Sequence, residues 1–358
     1  MALGIKDGIE GAFGRHETFT IRYGWLKRAF DEAIVDPRLF YRPDAHHRLG
    51  VGKNMAKSMR FWLSAARLMG EVPDPDEGRR TMMRPTGFGM LLLSGFPTVD
   101  DDLYKVGIAA INEQCADTTG LDPYLEDVTS WWLLHWMMLS PTGKLPVWWC
   151  AFQTFTAVNF TVEALQDHVA AQIDATSAWS SPKPPGANTI KKDVLALLRA
   201  YAGTSGSRRA DKADDAVDAP LVPLQLIAEG SDGFRFSVGP KPELAPAIAA
   251  FACIDFMSRT DFTARTALVP TLATEVGGPG RAFKVRERDL AELLAKAAAD
   301  FPDLINVSST AGSDTLSIHG DAPLHDVATL LLQRHYLATS LHTSHVDFPP
   351  ITATPNLL

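Results

Sequence analysis

The sequence predicts a mainly α-helical protein with short β-hairpins, in which several winged-helix-like modules surround a central helical hairpin. Apolar residues recur at helical spacing along several segments, three helical segments precede turn-rich stretches typical of hairpins, and two aromatic-rich segments occupy the middle of the chain. With 358 residues, of which 46% are hydrophobic, the chain can bury a large core and divide into two or three domains.

The first domain is predicted over residues 1–120, as a helix-turn-helix or winged-helix-like DNA-binding module. A helical period covers 18–34. Residues 43–69 form a candidate helix-turn-helix, because a short Pro-initiated helix precedes Gly50, Gly52 and a longer amphipathic helix. The Pro-, Asp- and Gly-rich stretch 72–80 is a loop where a wing can sit.

The second domain is predicted over 121–180, as an aromatic-rich helical hairpin. Its first helix covers 122–139 and begins at Asp122-Pro123, and the sequence PTGKLP separates it from a second buried helix at 147–173. His135 is expected to be a hydrogen-bonded core histidine. Five tryptophans are expected in the core, with stacking on unpaired bases as the alternative: Trp131, Trp132, Trp136, Trp148 and Trp149.

The third domain is predicted over 189–358, with one or two winged-helix-like modules. The segment 180–188 is the clearest linker, a helix covers 189–202, and 203–218 is a polar loop. A short helix running into a hairpin is predicted at 221–239, and a helix followed by a hairpin at 290–320.

Composition restricts the class of function. The net charge of -8 excludes a protein that is basic over its whole surface, so any contact with DNA must come from local basic patches. Three widely spaced cysteines without a CxxC pair disfavour a disulfide framework or a zinc site, and the N-terminus lacks the pattern of a secretory signal. We therefore expect a cytoplasmic protein without a membrane segment.

The strongest indication of DNA binding is the helix predicted within 50–69. Its apolar stripe and its basic stripe lie on opposite faces, offset by roughly 200° around the axis. The alternative is an ordinary solvated surface helix. The apolar stripe comprises Met55, Met59, Trp62, Ala66 and Met69; the basic stripe comprises Lys53, Lys57, Arg60 and Arg67.

Two clusters combine carboxylates with groups suited to phosphate chemistry. His16 and Glu17 precede a helix, where Glu17 can bind a divalent metal and His16 can position a water; alternatively, Glu17 caps the helix and His16 is an ordinary polar residue. Lys191, Lys192 and Asp193 follow one another near a helix start, where the ammonium groups can bind phosphate and the carboxylate a metal; alternatively, the carboxylate suits the helix dipole.

Two further clusters carry weaker indications. The carboxylates of Asp122, Glu126 and Asp127 can coordinate magnesium, but Asp122 serves better as a helix cap. A Gly-Pro-Gly turn near Arg281 is flanked by several cations, including Lys284, and can contact a DNA backbone or simply be solvated.

Five motifs occur together in order: FGRHETFTIRYGWLKRAF, LGVGKNMAKSMRFWL, GLDPYLEDVTSWWLLHW, TIKKDVLALLRAY and PGRAFKVRERDL. From about residue 13 to 336 the chain resembles bacterial proteins that carry the domain of unknown function 4007, among them the SspB-type subunits of DNA phosphorothioation systems. The resemblance implies a magnesium-dependent nickase that opens one DNA strand for sulfur incorporation in anti-phage defence. It also implies three partners: a cysteine desulfurase, an ATP-pyrophosphatase-like protein and an ATPase.

A nickase needs carboxylates for Mg²⁺, an oriented water and cations near the phosphate. We therefore predict Glu17 and Asp193 as metal ligands, His16 as base or water-positioning group, and Lys192 on phosphate. A non-catalytic DNA-binding adaptor that recruits the modification enzymes is the alternative function. The predicted DNA contacts are Lys53, Asn54, Lys57, Arg60, Lys191 and Arg281.

Overall fold

The computed structural model describes residues 9, 13–78, 80–94, 120–175, 184–203, 219–260, 265–310 and 312–340. The predicted loop at 203–218 lies almost wholly outside these ranges, as does the first part of the predicted linker at 180–188. Within the described residues, helices are joined to small antiparallel sheets of two or three strands. The predicted mainly α class with short hairpins is therefore confirmed.

Three helices and a hairpin follow one another near the N-terminus: α1 (Trp25–Val35), α2 (Ala45–Leu49), α3 (Lys53–Ala65), β1 (Met69–Pro73) and β2 (Thr81–Pro85). Helix α2 ends at Gly50, whose φ of 63° places it in the left-handed region that favours glycine. This is the tight turn expected before the amphipathic helix. Helix α1 begins later than the predicted residue 18 because Thr18 and Gly24 both have positive φ, which interrupts a helical backbone.

A second glycine allows a close approach between elements. Helix α4 (Gly87–Leu93) follows β2, and a Cβ atom built on Gly89 would lie 2.0 Å from the carbonyl oxygen of Leu68. Only glycine fits this contact without movement of the backbone. Thr86 caps the same helix by accepting a hydrogen bond from the Gly89 amide.

The prediction that the second arm of the central hairpin is a single helix is wrong. After α5 (Val128–Leu139), the chain forms α6 (Pro146–Trp149), one turn of π-helix (Cys150–Thr154), strand β3 (Asn159–Phe160) and helix α7 (Val162–Asp174). The polar segment at 154–161 breaks the helix because its residues pair as a strand and Thr161 caps the next helix through its hydroxyl.

The start of α5 also differs from the prediction. Asp127 is its N-cap and accepts a hydrogen bond from the amide of Thr129. Asp122 lies before the helix, where its carboxylate accepts hydrogen bonds from the amides of Glu126 and Asp127 and from the hydroxyl of Ser130 at 2.6 Å. Asp122 thus organises the turn that leads into the helix.

The C-terminal half contains the remaining elements. Both hairpins predicted there form: β4 (Ile227–Gly230) pairs with β5 (Gly233–Phe236), and β7 (Ile305–Thr310) pairs with β8 (Ser313–Ile318). A third strand joins each hairpin, β3 in the first and β6 (Thr266–Leu268) in the second, giving the strand orders β3-β5-β4 and β6-β8-β7. In chain order the elements are α8 (Ala187–Ala202), β4 (Ile227–Gly230), β5 (Gly233–Phe236), α9 (Pro246–Arg259), β6 (Thr266–Leu268), α10 (Val269–Thr274), α11 (Pro279–Phe283), α12 (Glu287–Asp300), β7 (Ile305–Thr310), β8 (Ser313–Ile318) and α13 (Leu324–Ser340).

A contiguous hydrophobic core runs through all three predicted domains. Helix α9 is buried on every side over most of its length and packs against α5, α12 and α13. This burial explains why its sequence is almost entirely apolar. The predicted boundaries between domains stay predictions. Among the described helices, none combines the length and the hydropathy needed to span a bilayer.

Candidate nucleic-acid interface

Helix α3 has the two faces that the sequence predicts. Met59 and Trp62 are fully buried on its apolar side, and the Trp62 indole donates a hydrogen bond to the carbonyl of Phe19 at 3.2 Å. Lys53, Asn54 and Lys57 are exposed on the other side. The helix ends at Ala65, so Met69 of the predicted apolar stripe belongs to β1 and Arg67 of the predicted basic stripe lies beyond the helix. Arg67 instead donates hydrogen bonds to the carbonyls of Met137 and Ser140, so the prediction that it belongs to the basic face is wrong.

The basic face of α3 forms one wall of a cavity of about 650 Å³. Six Lys or Arg side chains and two carboxylates line this cavity, so its walls carry a net positive charge although the chain as a whole has a net charge of -8. Cations concentrated in a concave site attract a polyanion locally. The cations are Arg15, Arg42, Lys53, Lys57, Arg60 and Lys144, and the carboxylates are Glu17 and Glu71.

Arg60 differs from its neighbours because it joins the helix to the hairpin. Its guanidinium donates to the Tyr41 hydroxyl at 2.8 Å, lies 3.1 Å from the Glu71 carboxylate on β1, and reaches Thr81 on β2 at 3.3 Å. It also lies over the Tyr41 ring, 4.9 Å from the centroid. These contacts give Arg60 a structural role at the cavity wall, and its predicted contact with DNA stays a prediction.

The N-terminal segment brings two of the predicted catalytic residues together. His16 Nε2 lies 3.1 Å from the Asp193 carboxylate on α8, although the two residues are far apart in the sequence. The other Asp193 oxygen accepts a hydrogen bond from the Gly14 amide at 2.9 Å. His16 and Asp193 are 2% and 3% exposed, so this pair lies beneath the surface and not in the open cavity.

Glu17 does not join the buried pair of His16 and Asp193. Its carboxylate lines the cavity and lies 3.6 Å from the Lys57 ammonium. The structure therefore pairs Glu17 with Lys57, and Asp193 with His16. In the part of the chain that the structure describes, no three His, Cys, Asp or Glu side chains gather as a metal-binding group.

The remaining predicted phosphate contacts lie on two other elements. Lys191 and Lys192 are exposed on α8, and Lys191 lies 3.8 Å from the Glu163 carboxylate. Arg281 donates hydrogen bonds to the carbonyls of Thr274 and Gln153. These bonds hold α10, α11 and the π-helical turn together, a function that the sequence alone did not indicate.

Lys284, in the same basic run as Arg281, is also an internal structural residue. Its ammonium donates to the carbonyls of Ala151 and Phe152 and lies 4.3 Å from the centroid of the Phe236 ring. Burial lowers the pKa of Lys284 to about 7. Lys284 is thus partly exposed as a residue, while its ammonium group binds carbonyl oxygens of the protein.

The tryptophans and His135 belong to the core, as expected. The five tryptophans of α5 and α6 are at most 2% exposed. His135 accepts a hydrogen bond from the Tyr201 hydroxyl at its Nδ1 and donates one from its Nε2 to the carbonyl of Ala282. Burial lowers the pKa of His135 to about 4, which keeps the ring neutral near pH 7.

Several cavity residues were not among the predicted site residues. Arg15 and Glu71 lie in segments that had other interpretations, and Lys144 lies in the helix-breaking PTGKLP sequence. The ammonium of Lys144 donates to the Ser64 hydroxyl of α3 at 2.6 Å. Only the tertiary fold brings these residues to the same cavity, because they lie on separate loops and strands.

Comparison with known proteins identifies the family. The sequence profile described as "Protein of unknown function (DUF4007)" matches residues 13–336. The chain belongs to this family. This DUF4007 protein has no match among curated protein sequences.

Two solved structures are similar to the DUF4007 chain over nearly its whole length. A crystal structure of SspB is 30% identical in sequence and has a TM-score of 0.78, with 94% of this chain and 92% of the SspB chain covered. A crystal structure of magnesium ion-bound SspB has the same identity and TM-score, with 94% and 91% of the two chains covered. The DUF4007 chain is thus similar to SspB in both sequence and fold.

Proposed function

We propose that this protein is the DNA-nicking subunit of a bacterial DNA phosphorothioation system and that it binds DNA at the cation-lined cavity of α3. The cavity carries the proposal, because six cations converge on a concave surface of an acidic protein. Similarity to SspB over the whole chain supports the assignment to the phosphorothioation system. The partners are a cysteine desulfurase, an ATP-pyrophosphatase-like protein and an ATPase, and the protein acts in the cytoplasm.

The proposed DNA-binding unit is winged-helix-like. The order α1, α2, α3, β1 and β2, three helices followed by a hairpin, supports this proposal. Arg60 fixes the hairpin against α3 through Glu71 and Thr81. In this arrangement α3 is the recognition helix, with Lys53 and Lys57 towards the phosphates and the hairpin as the wing.

Magnesium dependence is part of the proposal, supported by the similarity to a magnesium ion-bound SspB. The predicted ligand pair does not fit a ready-made site, because Glu17 faces the cavity beside Lys57 while Asp193 is buried beside His16 and the Gly14 amide. Mg²⁺ requires near-octahedral oxygen coordination and usually keeps several waters. We therefore assign no step of the reaction to an ion held by these two carboxylates.

The residues at the cavity surface can perform two parts of a nicking reaction. Lys53, Lys57 and Arg15 supply positive charge where the phosphate would lie and can stabilise the charge that develops on its oxygens. Glu17 is the carboxylate at this surface that can orient a water. Lys192, which was predicted to bind phosphate, stays a candidate for contact with the part of the DNA that lies beyond the cavity.

The second candidate function is a non-catalytic DNA-binding adaptor. The burial of Asp193, its hydrogen bond from the Gly14 amide and its proximity to His16 favour this alternative, because they give the carboxylate a structural role. Both functions use the same cavity for DNA. They differ in whether the bound strand is cut.

A plasmid assay separates the two functions. Purified protein is incubated with supercoiled plasmid in Mg²⁺ or in EDTA, and binding to a linear duplex is measured in parallel. A nickase converts the plasmid to open circles in Mg²⁺ only. Binding without conversion would establish the adaptor, and the absence of both activities would overturn the proposal.

Matched variants connect these activities to the cavity. Lys53→Ala with Lys57→Ala removes two cations from the cavity, whereas Arg288→Ala with Lys296→Ala removes two exposed cations from α12, which does not line it. We expect the first pair to weaken both binding and nicking and the second pair to leave both unchanged. Equal effects of the two pairs would mean that the DNA lies elsewhere.

A further inference from the structure

The segment at 14–18 is attached to helix α8 by contacts at three of its residues. The Gly14 amide donates to one Asp193 oxygen at 2.9 Å, and His16 Nε2 lies 3.1 Å from the other. Further along α8, the Arg199 guanidinium donates to the Thr18 carbonyl at 2.8 Å. The segment is therefore attached at both ends and in its middle.

The middle contact is inaccessible from outside. The His16 ring stacks on Trp62 with 6.3 Å between ring centroids, and the edge of Trp148 approaches it at 5.9 Å. Arg15 and Glu17, on either side of His16 in the sequence, both line the cavity. The segment thus directs one residue into the core and its two neighbours towards the cavity.

The backbone of this segment needs such attachment. Gly14, Glu17 and Thr18 have φ values of 70°, 51° and 66°. Residues other than glycine rarely adopt this conformation unless surrounding contacts determine it. Without the Asp193 carboxylate, Glu17 and Thr18 have less to hold them in the left-handed region.

We propose that Asp193 is a positioning residue that, through the Gly14 amide and His16, holds Arg15 and Glu17 at the DNA-binding cavity. This inference rests on the proposed function in one respect, which is that DNA binds next to Arg15. It gives Asp193 a role different from the predicted one, because the carboxylate acts through the peptide segment and not through a bound ion.

One test does not involve DNA. Hydrogen exchange is followed in peptides covering 13–19 in the parent protein, Asp193→Ala and Asp193→Asn. Protection should be lost in the alanine variant and retained in the asparagine variant, because the asparagine oxygen can still accept the Gly14 amide. Unchanged protection in Asp193→Ala would overturn the proposal.

Arg199→Ala provides a second variant if Asp193→Ala does not fold. Arg199 lies at the surface of α8, so its truncation leaves the buried pair in place and removes the contact with the Thr18 carbonyl. We expect partial loss of protection in the same peptides. Full protection in this variant would show that the contact between Arg199 and Thr18 does not hold the segment and would leave Asp193 as its attachment to α8.

The second test is a double-mutant cycle on DNA affinity. If Arg15 contacts one phosphate, Arg15→Ala lowers the salt dependence of log K by roughly one unit. Asp193→Ala should have a similar effect, the double variant should be no worse than either single variant, and Asp193→Asn should match the parent. Additive losses would overturn the positioning role.

The two hypotheses fail in distinguishable ways. A parent protein that does not bind DNA refutes the proposed function, while hydrogen exchange still tests the attachment of the segment. An Asp193→Asn protein with a protected segment and full DNA affinity that no longer binds Mg²⁺ would make Asp193 a metal ligand and refute the claim that its carboxylate acts only through the peptide segment.

Discussion

His135 is an ionisable residue that the fold keeps neutral, with both ring nitrogens bonded inside the core. Its pKa of about 4 lies below the ordinary value of 6.5, so the unfolded chain binds a proton more readily than the folded one. The stability that neutral His135 contributes is therefore complete above about pH 6.5 and is lost as the pH falls towards 4.

We expect this loss to reach about 3 kcal/mol of unfolding free energy. Urea unfolding of the parent and of His135→Gln, measured at neutral and acidic pH, checks the value. The variant should have a flatter pH dependence because glutamine does not titrate. Parallel curves for the two proteins would show that His135 does not produce the acid sensitivity.

Trp132 and Trp136 fill the core at α5, and the Trp136 indole also donates to the Asp255 carboxylate at 2.9 Å. Truncation to alanine removes buried area and leaves a cavity, so each variant should lose roughly 3 to 5 kcal/mol of stability. Thermal melting gives the measurement. Tyr124→Ala is the control, because Tyr124 is 67% exposed and its truncation should have little effect.

A normal melting curve for Trp132→Ala or Trp136→Ala, combined with a selective loss of affinity for single-stranded DNA, would contradict the core role. Stacking on unpaired bases would then explain these tryptophans.

At the scale of single elements, α3 supplies the most direct prediction. Replacing Lys53 and Lys57 by alanine should lower the salt slope of log K by nearly two units if both contact phosphate. Arg60 is left intact because Tyr41 and Glu71 already bind it, and its loss would disturb the hairpin. Binding titrations over a range of salt concentrations provide the slopes.

The Lys53 and Lys57 substitutions should not alter the melting temperature, since both side chains are exposed. If the salt slope of log K is the same in the variant as in the parent protein, α3 does not bind phosphate, even if the variant's affinity for DNA has changed.

The sequence predicted α3 well because its two stripes follow the helical period and Gly50 marks the turn before it. The single helix at 147–173 was wrong because periodicity in an apolar segment does not reveal a break caused by strand pairing. Arg281 was predicted to contact DNA because of its charge, and this contact stays a prediction. The carbonyl oxygens that Arg281 binds in the fold could not be inferred from the sequence.

The candidate site was predictable only in part for a similar reason. The segment FGRHE and the sequence KKD each indicated polar chemistry, and the contact between His16 and Asp193 could not be read from either. Contacts between residues so far apart depend on how whole elements pack. Lys144 gave no signal because a lysine in a loop is usually solvated.

At the scale of the whole molecule, the continuous core predicts cooperative unfolding. Hydrophobic residues from all three predicted domains belong to one contiguous cluster, and α9 contacts helices from the second and third domains. We therefore expect a single calorimetric transition with equal calorimetric and van't Hoff enthalpies. Two resolved transitions would support independent domains and contradict this expectation.

The contrast between the basic cavity and the acidic body has a kinetic consequence. The chain as a whole has a net charge of -8, whereas the cavity at α3 presents six cations and two carboxylates to an approaching DNA strand. We therefore expect the charge distribution to orient the protein and the DNA relative to each other before they touch. The association rate constant should fall steeply with ionic strength. If DNA binds at the cavity as proposed, long-range attraction favours its approach from the side of α3 and brings the strand to Arg15 and Glu17.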